Sequence, residues 1–391
     1  MAGEAAQKTR KLIVIVQDRP TQFDVPFYAY NEAEGAVDIR VYYTAMRAGA
    51  VDAPDRETGV TPRWDHLATG AAAQARVAYV AGRGVPALVS EIASLRPDLV
   101  IVCGYMPVTH ALLALGLKVR GLKVGLRSDN TLHHSRFAGL KGLVKRAILP
   151  LWLRIYDSWH PVGTLATDYL RTLARTTRPV FLFPYNVDNA WFMKKAAAHR
   201  EQRDAWRASM GWGPGDFVVL GVMKWHPRED PLTLIDAFAR LQARHSGARL
   251  ILVGDGPLKE QVAERLRPMK GRAHAPGYVS YSELPRLYAM SDVFVHPAVG
   301  EPWGVSVNEA MACGLPVLAA AGVGAGKDLI AEGETGFVFP DRDSGKLATL
   351  MESLLNDAGL RQCMSARAVE KMTHWSYRQT AGEMAMAVRG G

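Results

Sequence analysis

The chain has 391 residues, 48% of them hydrophobic and 22% charged, with a formal net charge of +9. That length allows two ordinary domains with a core each, and that composition excludes a disordered or fibrous chain. Three cysteines, Cys103, Cys313 and Cys363, stand far apart with no CxxC pair, which points to reduced thiols in a cytoplasmic protein and away from a disulfide framework or structural zinc.

The first eleven residues are polar, and the apolar run 12–16 is too short for a signal peptide or a span. No later stretch reaches spanning length. The positive balance raises nucleic acid as a partner, but the basic residues are scattered and no aromatic-basic module accompanies them, so nucleic acid is not expected. The same balance suits a chain that binds phosphorylated substrates or docks on an anionic membrane.

In chain order, residues 12–16 read as a buried parallel strand, and the loop after it, 17–27, would face the ligand crevice of an open α/β sheet. A second strand is expected at 39–43, a helix at 85–95, and a strong strand at 98–103 with a crevice loop at 104–107. Residues 123–126 read as another strand. The loop after it offers Arg127, Asp129, His133 and His134 as candidates for chemistry, or a polar turn in which Asp129 or Asn130 caps the next element.

Residues 137–156 are basic and apolar together, and Pro150 is expected to interrupt any single helix there. Two readings stand: peripheral contact with an anionic membrane through 137–149, or a helix pair packed on its own domain. Short strands at 159–163 and 181–188 would lead out of the first domain. A polar helix at 194–210 and a strand at 216–220 open the second half, succeeded by the loop 221–231 with Lys224 and Arg228. A helix at 232–244, a strand at 249–253, a short strand at 277–279 and a helix at 282–290 come next.

Residues 291–320 are the densest in signal. A strand at 293–295 ends at His296-Pro297, a helix is expected over 305–313 with Gly314 at its C-cap, and 317–319 is the next strand. Gly304, Val305 and Ser306 would present backbone N–H groups at a helix N-terminus, which favours an anion, phosphate above all. Glu301 and Glu309 flank it, and carboxylates suit neutral hydroxyl groups as charge-assisted acceptors. Phosphate in the middle with polyhydroxyl groups on both sides describes a nucleotide sugar. The alternative for Glu309 is a capping box with Ser306, and for Glu301 a solvated loop acid.

Glu301 and Glu309, with Pro302, Trp303-Gly304, Ala310-Met311-Ala312, Gly314 and Pro316-Val317, closely resemble the E-x7-E signature of the retaining glycosyltransferases of family 4. The resemblance implies the α/β GT-B fold. Two Rossmann-like domains would face each other across a cleft: 1–190 for the acceptor and 191–372 for the donor, with 373–391 as a helix crossing back to the first domain. It implies a nucleoside-diphosphate sugar as co-substrate, a saccharide, glycolipid or small-molecule acceptor, and no metal.

By the same resemblance Glu309 grips the ribose, Glu301 the sugar hydroxyls, and the backbone near Val279 meets the base. Lys224 and Arg228 reach the diphosphate, joined by Trp303, Gly304, Val305 and Ser306. Asp129 or His133 would present to the donor sugar from the first domain. Departures are the absence of the usual Gly-Gly pair in the loop after the first strand and Glu229 where lysine is usual. The run 322–328 resembles the glycine-rich loop after the signature unit, since it lacks P-loop spacing and the Ser/Thr after Lys327.

Competing readings are a phosphorylase or sugar-nucleotide hydrolase of the same fold, and a non-catalytic nucleotide-sugar-binding protein. A nicotinamide dehydrogenase lacks its G-x-G-x-x-G after either first strand.

Overall fold

The computed structural model describes residues 10–45, 76–105, 108–133 and 139–389. His134 and the start of the segment 137–149 lie outside them. Runs of β-branched and aliphatic residues build two six-stranded sheets. The first contains β1 (Lys11–Gln17), β2 (Val37–Tyr43), β3 (Val77–Tyr79), β4 (Leu99–Cys103), β5 (Val124–Ser128) and β6 (Ser158–Pro161), in the order β3-β2-β1-β4-β5-β6. The second contains β7 (Phe217–Val222), β8 (Ala248–Val253), β9 (Ala273–Gly277), β10 (Val293–His296), β11 (Val317–Ala320) and β12 (Gly336–Phe339), in the order β12-β11-β10-β7-β8-β9. Among the described residues every ladder is parallel.

Both orders are the same doubly wound pattern, each reversing direction beside its first strand. Strands of this kind are covered on both faces, which is why Ile13 to Val16 and Val100 to Val102 are all fully buried. Helices Val85–Ser94, Val108–Val119, Gly139–Leu153 and Thr164–Ala174 share a core with one face of the first sheet. The other face carries helix Asp24–Glu34 and the terminal helix Tyr377–Arg389, whose Ala381, Met384, Ala385 and Ala387 pack with Ile13, Ile15, Ile39 and Val41. The chain end thus returns to the first sheet. The α/β architecture of two facing Rossmann-like units is the GT-B arrangement.

Several local expectations are corrected. Helix Gly139–Leu153 continues through Pro150, because the proline lies within its last turn and the packing of Leu149 and Leu153 outweighs one missing N–H. The helix expected at 194–210 is two, Asn189–Arg200 and Arg203–Ser209. The break lets Arg203 and Arg207 both reach Asp292, at 2.5 and 2.8 Å. Residues 181–188 run beside β6, with the N–H groups of Phe181 and Phe183 donating to the carbonyls of Trp159 and Pro161, but form no strand; the bridge to Trp159 is made by Val180, just before them. The strand expected at 277–279 is β9, which ends at Gly277 where φ reaches 82°.

The two halves are joined by polar contacts. Helix Thr164–Ala174 has no cap of its own at Gly163; instead Asp328 from the second half accepts from the Thr164 N–H at 3.0 Å and its hydroxyl at 2.7 Å. The side chain of Asn186 donates to Thr380, and that of Asn189 to the carbonyls of Met372 and Trp375. The variant Asp328→Ala uncaps a helix across the joint and is expected to cost about 1–2 kcal/mol. Urea denaturation should show a lower midpoint at unchanged slope; an unmoved midpoint would mean the joint does not depend on this cap.

Candidate functional site

In an open sheet of this order, ligands sit outside the carboxyl ends of the strands where the order reverses. For the first sheet that place is between β1 and β4, and there lies a cavity of about 690 Å³ lined by Gln17, Asp18, Arg19, Tyr105, Asp129 and Tyr185, among others. Arg127 lies at its floor, 4% exposed. It donates to Asp24 at 2.7 Å and to the Phe183 carbonyl at 3.2 Å, with its guanidinium 3.8 Å from the Phe183 ring centre. So committed, Arg127 holds β5 to the helix Asp24–Glu34 and to the chain leaving the domain.

Asp129 is half-buried and accepts from the Tyr185 hydroxyl at 2.9 Å. His133 is exposed, and its carbonyl faces the second half: a Cβ on Gly300 would stand 3.8 Å from it. The loop after β5 therefore meets the loop after β10 across the cleft, one residue before Glu301.

For the second sheet the order reverses between β7 and β10. Here the sequence folds as expected almost to the residue: β10 ends at His296, Gly304 is the N-cap of helix Val305–Ala312, and Gly314 comes just beyond at φ 74°. Gly304 has φ 93°, and a Cβ there would lie 3.0 Å from His296 Nε2, so both the turn and the space require glycine. The N–H groups of Val305 and Ser306, in the first turn, have no intrahelical acceptor. Such a terminus, with the helix dipole behind it, favours an anion.

Lys224 is half-buried in the loop after β7, and Arg228 lies further along the same loop. The Arg228 guanidinium stands between two carboxylates, 3.1 Å from Glu229 and 3.5 Å from Glu301. Burial drives the Glu301 carboxyl up to about 7, with Glu229 adding to the rise and Arg228 opposing it. Glu301 Oε2 is buried without a hydrogen bond, as is His296 Nε2, which lies 3.9 Å from Glu229. His296 is 3% exposed, and burial lowers its pKa. In the sequence His296 reads only as a strand stop; a histidine closing the switch-point strand directly before a proline is the signal that could have marked it.

Glu309 is 3% exposed and accepts from the Tyr288 hydroxyl at 2.8 Å; burial pushes its carboxyl up to about 7. The capping box with Ser306 does not form, since Gly304 is the N-cap and no side chain caps the helix. Trp303 is 1% exposed, stacked on Trp375 at 5.4 Å, with its N–H given to Asn308. Its indole is thus part of the joint, and only its backbone borders the crevice. Val279 is half-buried in the loop beyond β9 rather than in a strand. The structure brings Arg228 to Glu301 beside the Gly304 turn and the start of helix Val305–Ala312, with Lys224 on the loop of Arg228, and with Asp129 and His133 on the facing loop; Glu309 is buried further along that helix.

Residues 202–371, which contain the whole second sheet, match the family model described as glycosyl transferases group 1. Among curated proteins the chain is 37% identical over 309 residues to the sulfoquinovosyl transferase SQD2 of Arabidopsis thaliana, covering 75% of this chain and 56% of the relative. It is 30% identical over 252 residues to a GDP-mannose-dependent alpha-(1-6)-phosphatidylinositol monomannoside mannosyltransferase of Mycobacterium tuberculosis, covering 61% and 64%. The chain thus spans less than two thirds of the length of either relative.

Among solved structures, Anabaena HepE in complex with UDP superposes with a TM-score of 0.74 at 16% identity, covering 97% of this chain and 100% of that one. A glycosyltransferase from Rickettsia africae gives 0.75 at 13% identity, covering 98% and 99%. At such identities these structures establish the shared fold.

The buried Glu309 has a consequence for stability. Its folded-state pKa is raised from 4.5 to about 7, so between those pH values the folded chain holds a proton that the unfolded chain has released. The contribution is full below the lower value and lost as pH rises through the upper one. Relative to Glu309→Gln, the wild type should lose about 3 kcal/mol of unfolding free energy across that window. Denaturant titrations of both proteins at several pH values measure the difference; parallel curves would show that Glu309 ionises as an ordinary carboxyl.

Proposed function

We propose that the protein is a retaining, metal-independent glycosyltransferase of family 4, moving a sugar from a nucleoside-diphosphate sugar to an acceptor hydroxyl. The observation that carries this reading is the pair Glu301 and Glu309 flanking the Gly304 turn at the switch point of the second sheet, within the residues matched by the family model. The curated relatives, a sulfoquinovosyl transferase and a mannosyltransferase, and the neighbour crystallised with UDP support it.

The leaving group is a diphosphate whose charge grows in the transition state. In this reading the amides near Val305 and Ser306 and the ammonium of Lys224 receive that charge, which is electrostatic catalysis. Arg228 joins them by exchanging Glu301 for a phosphate oxygen, and the exchange frees Glu301 to accept from the sugar hydroxyls. Glu309 takes the ribose hydroxyls in place of the tyrosine hydroxyl it now holds, and the backbone at Val279 borders the base. Asp129 and the loop of His133 face the sugar from the first half. Departure of the diphosphate and entry of the acceptor occur on one face of the sugar, with the leaving phosphate taking the acceptor proton. Glu301 is therefore a hydroxyl ligand and not a nucleophile. The acceptor is a hydroxyl-bearing saccharide, glycolipid or small molecule, a class that takes in the phosphatidylinositol monomannoside in the mannosyltransferase's name.

Calorimetric titration with UDP, GDP and ADP identifies the base. For whichever binds, Glu309→Ala is expected to weaken affinity about tenfold or more, the loss of a charge-assisted hydrogen bond. Unchanged affinity removes Glu309 from the donor site. With the cognate sugar nucleotide, Glu301→Ala should lower kcat about a hundredfold while leaving the affinity for the bare nucleotide within a few fold. Normal turnover in that variant would refute the sugar-binding role, and release of free sugar by the wild type in the presence of acceptor would favour a hydrolase.

A further inference from the structure

The helices on one face of the first sheet share a single core, so their outer sides look the same way. In helix Val108–Val119 the inner residues are His110, Ala111, Leu113, Ala114 and Leu117. Its outer side is also apolar: Val108 is 59% exposed, Leu112 48%, Leu115 41% and Val119 79%. Steps of four, three and four residues place these on one stripe, about 16 Å long. On helix Gly139–Leu153, which shares the same core, Ile148 and Leu151 are exposed by 55% and 65%.

The polar rim of this layer is basic. Arg120, Lys123 and Arg154 are exposed, and no carboxylate pairs with them among the described residues. Asp157 is engaged with Lys118 at 2.7 Å and Glu91 with Arg83 at 2.5 Å, which leaves Asp168 on helix Thr164–Ala174 as an exposed acid of the layer.

We propose that this layer is a docking surface for an anionic lipid bilayer, with the stripe Val108, Leu112, Leu115, Val119 entering the headgroup boundary and the rim cations meeting lipid phosphates. A free apolar stripe beside uncompensated cations matches that surface on both counts. A second copy of the chain matches it on one only, since a two-fold contact would set the same cations against each other. The contact is interfacial rather than spanning. Twelve helical residues rise about 18 Å against roughly 30 Å of hydrocarbon, and no described helix is long and apolar enough to cross.

The stripe belongs to the helix before the segment 137–149 singled out in the sequence. Its Val108 end comes after β4 at the rim of the cavity lined by Gly104 and Tyr105, so a docked bilayer would adjoin that crevice. The proposal stands whether or not the chain transfers sugar.

The test is co-sedimentation of the full chain with vesicles of phosphatidylcholine, alone or mixed with phosphatidylglycerol, beside sedimentation equilibrium of the free protein. The wild type should pellet with the mixed vesicles, and less so at high salt. Leu112→Ser/Leu115→Ser should bind about a hundredfold more weakly with an unchanged thermal melt. Arg120→Glu/Lys123→Glu should lose binding to the mixed vesicles. Equal pelleting of wild type and stripe variant overturns the proposal. So does a wild-type dimer that the stripe substitutions dissociate without any vesicle binding.

Discussion

Trp303 lies between Glu301 and Glu309, and its ring is spent on the joint between the two halves of the molecule. The indole stacks on Trp375 at 5.4 Å, gives its N–H to Asn308, and comes so close to Gly163 that a Cβ there would meet it at 2.5 Å. Asn308 in turn donates to the Tyr185 carbonyl on the chain leaving the first half. Trp375 stands just before the helix that returns to the first sheet. The loop that carries Glu301 and Gly304 is thereby tied to the crossing points of the chain. Any change in the angle between the sheets must be felt at the helix N-terminus two residues away.

The charges around that terminus are arranged against their own solvation. Two carboxylates, Glu229 and Glu301, share Arg228, and Glu301 keeps an oxygen buried without a hydrogen bond. Buried groups of this kind cost free energy unless they are satisfied, and sites that bind ligands tolerate such costs. Glu229, which departs from the resemblance, offsets charge that Arg228 would otherwise offer outright.

The first crevice obeys a different logic. Arg127 and Asp24 form a buried pair at its floor, reinforced by carbonyls and an aromatic face, and removing one partner of such a pair leaves an uncompensated charge. Asp129 accepts from Tyr185, so the loop facing the second half is pre-shaped by the chain that links the halves.

What the sequence determined by itself was everything carried by neighbours along the chain. The strands read at 293–295 and 317–319, the helix between them, the glycine turn and the two carboxylates at their spacing were legible because apolar periodicity and capping residues are local. So was the wound order of strand, loop and helix. Tertiary structure alone decided the partners. Arg127 meets Asp24 across 103 positions, Asp328 caps a helix 164 positions away, and Glu309 pairs with Tyr288 rather than with its own helix end. Pro150 stays helical because the layer it packs against outweighs one lost hydrogen bond. Side-chain partners depend on which surfaces the sheets bring together, and that distance cannot be read from spacing along the chain.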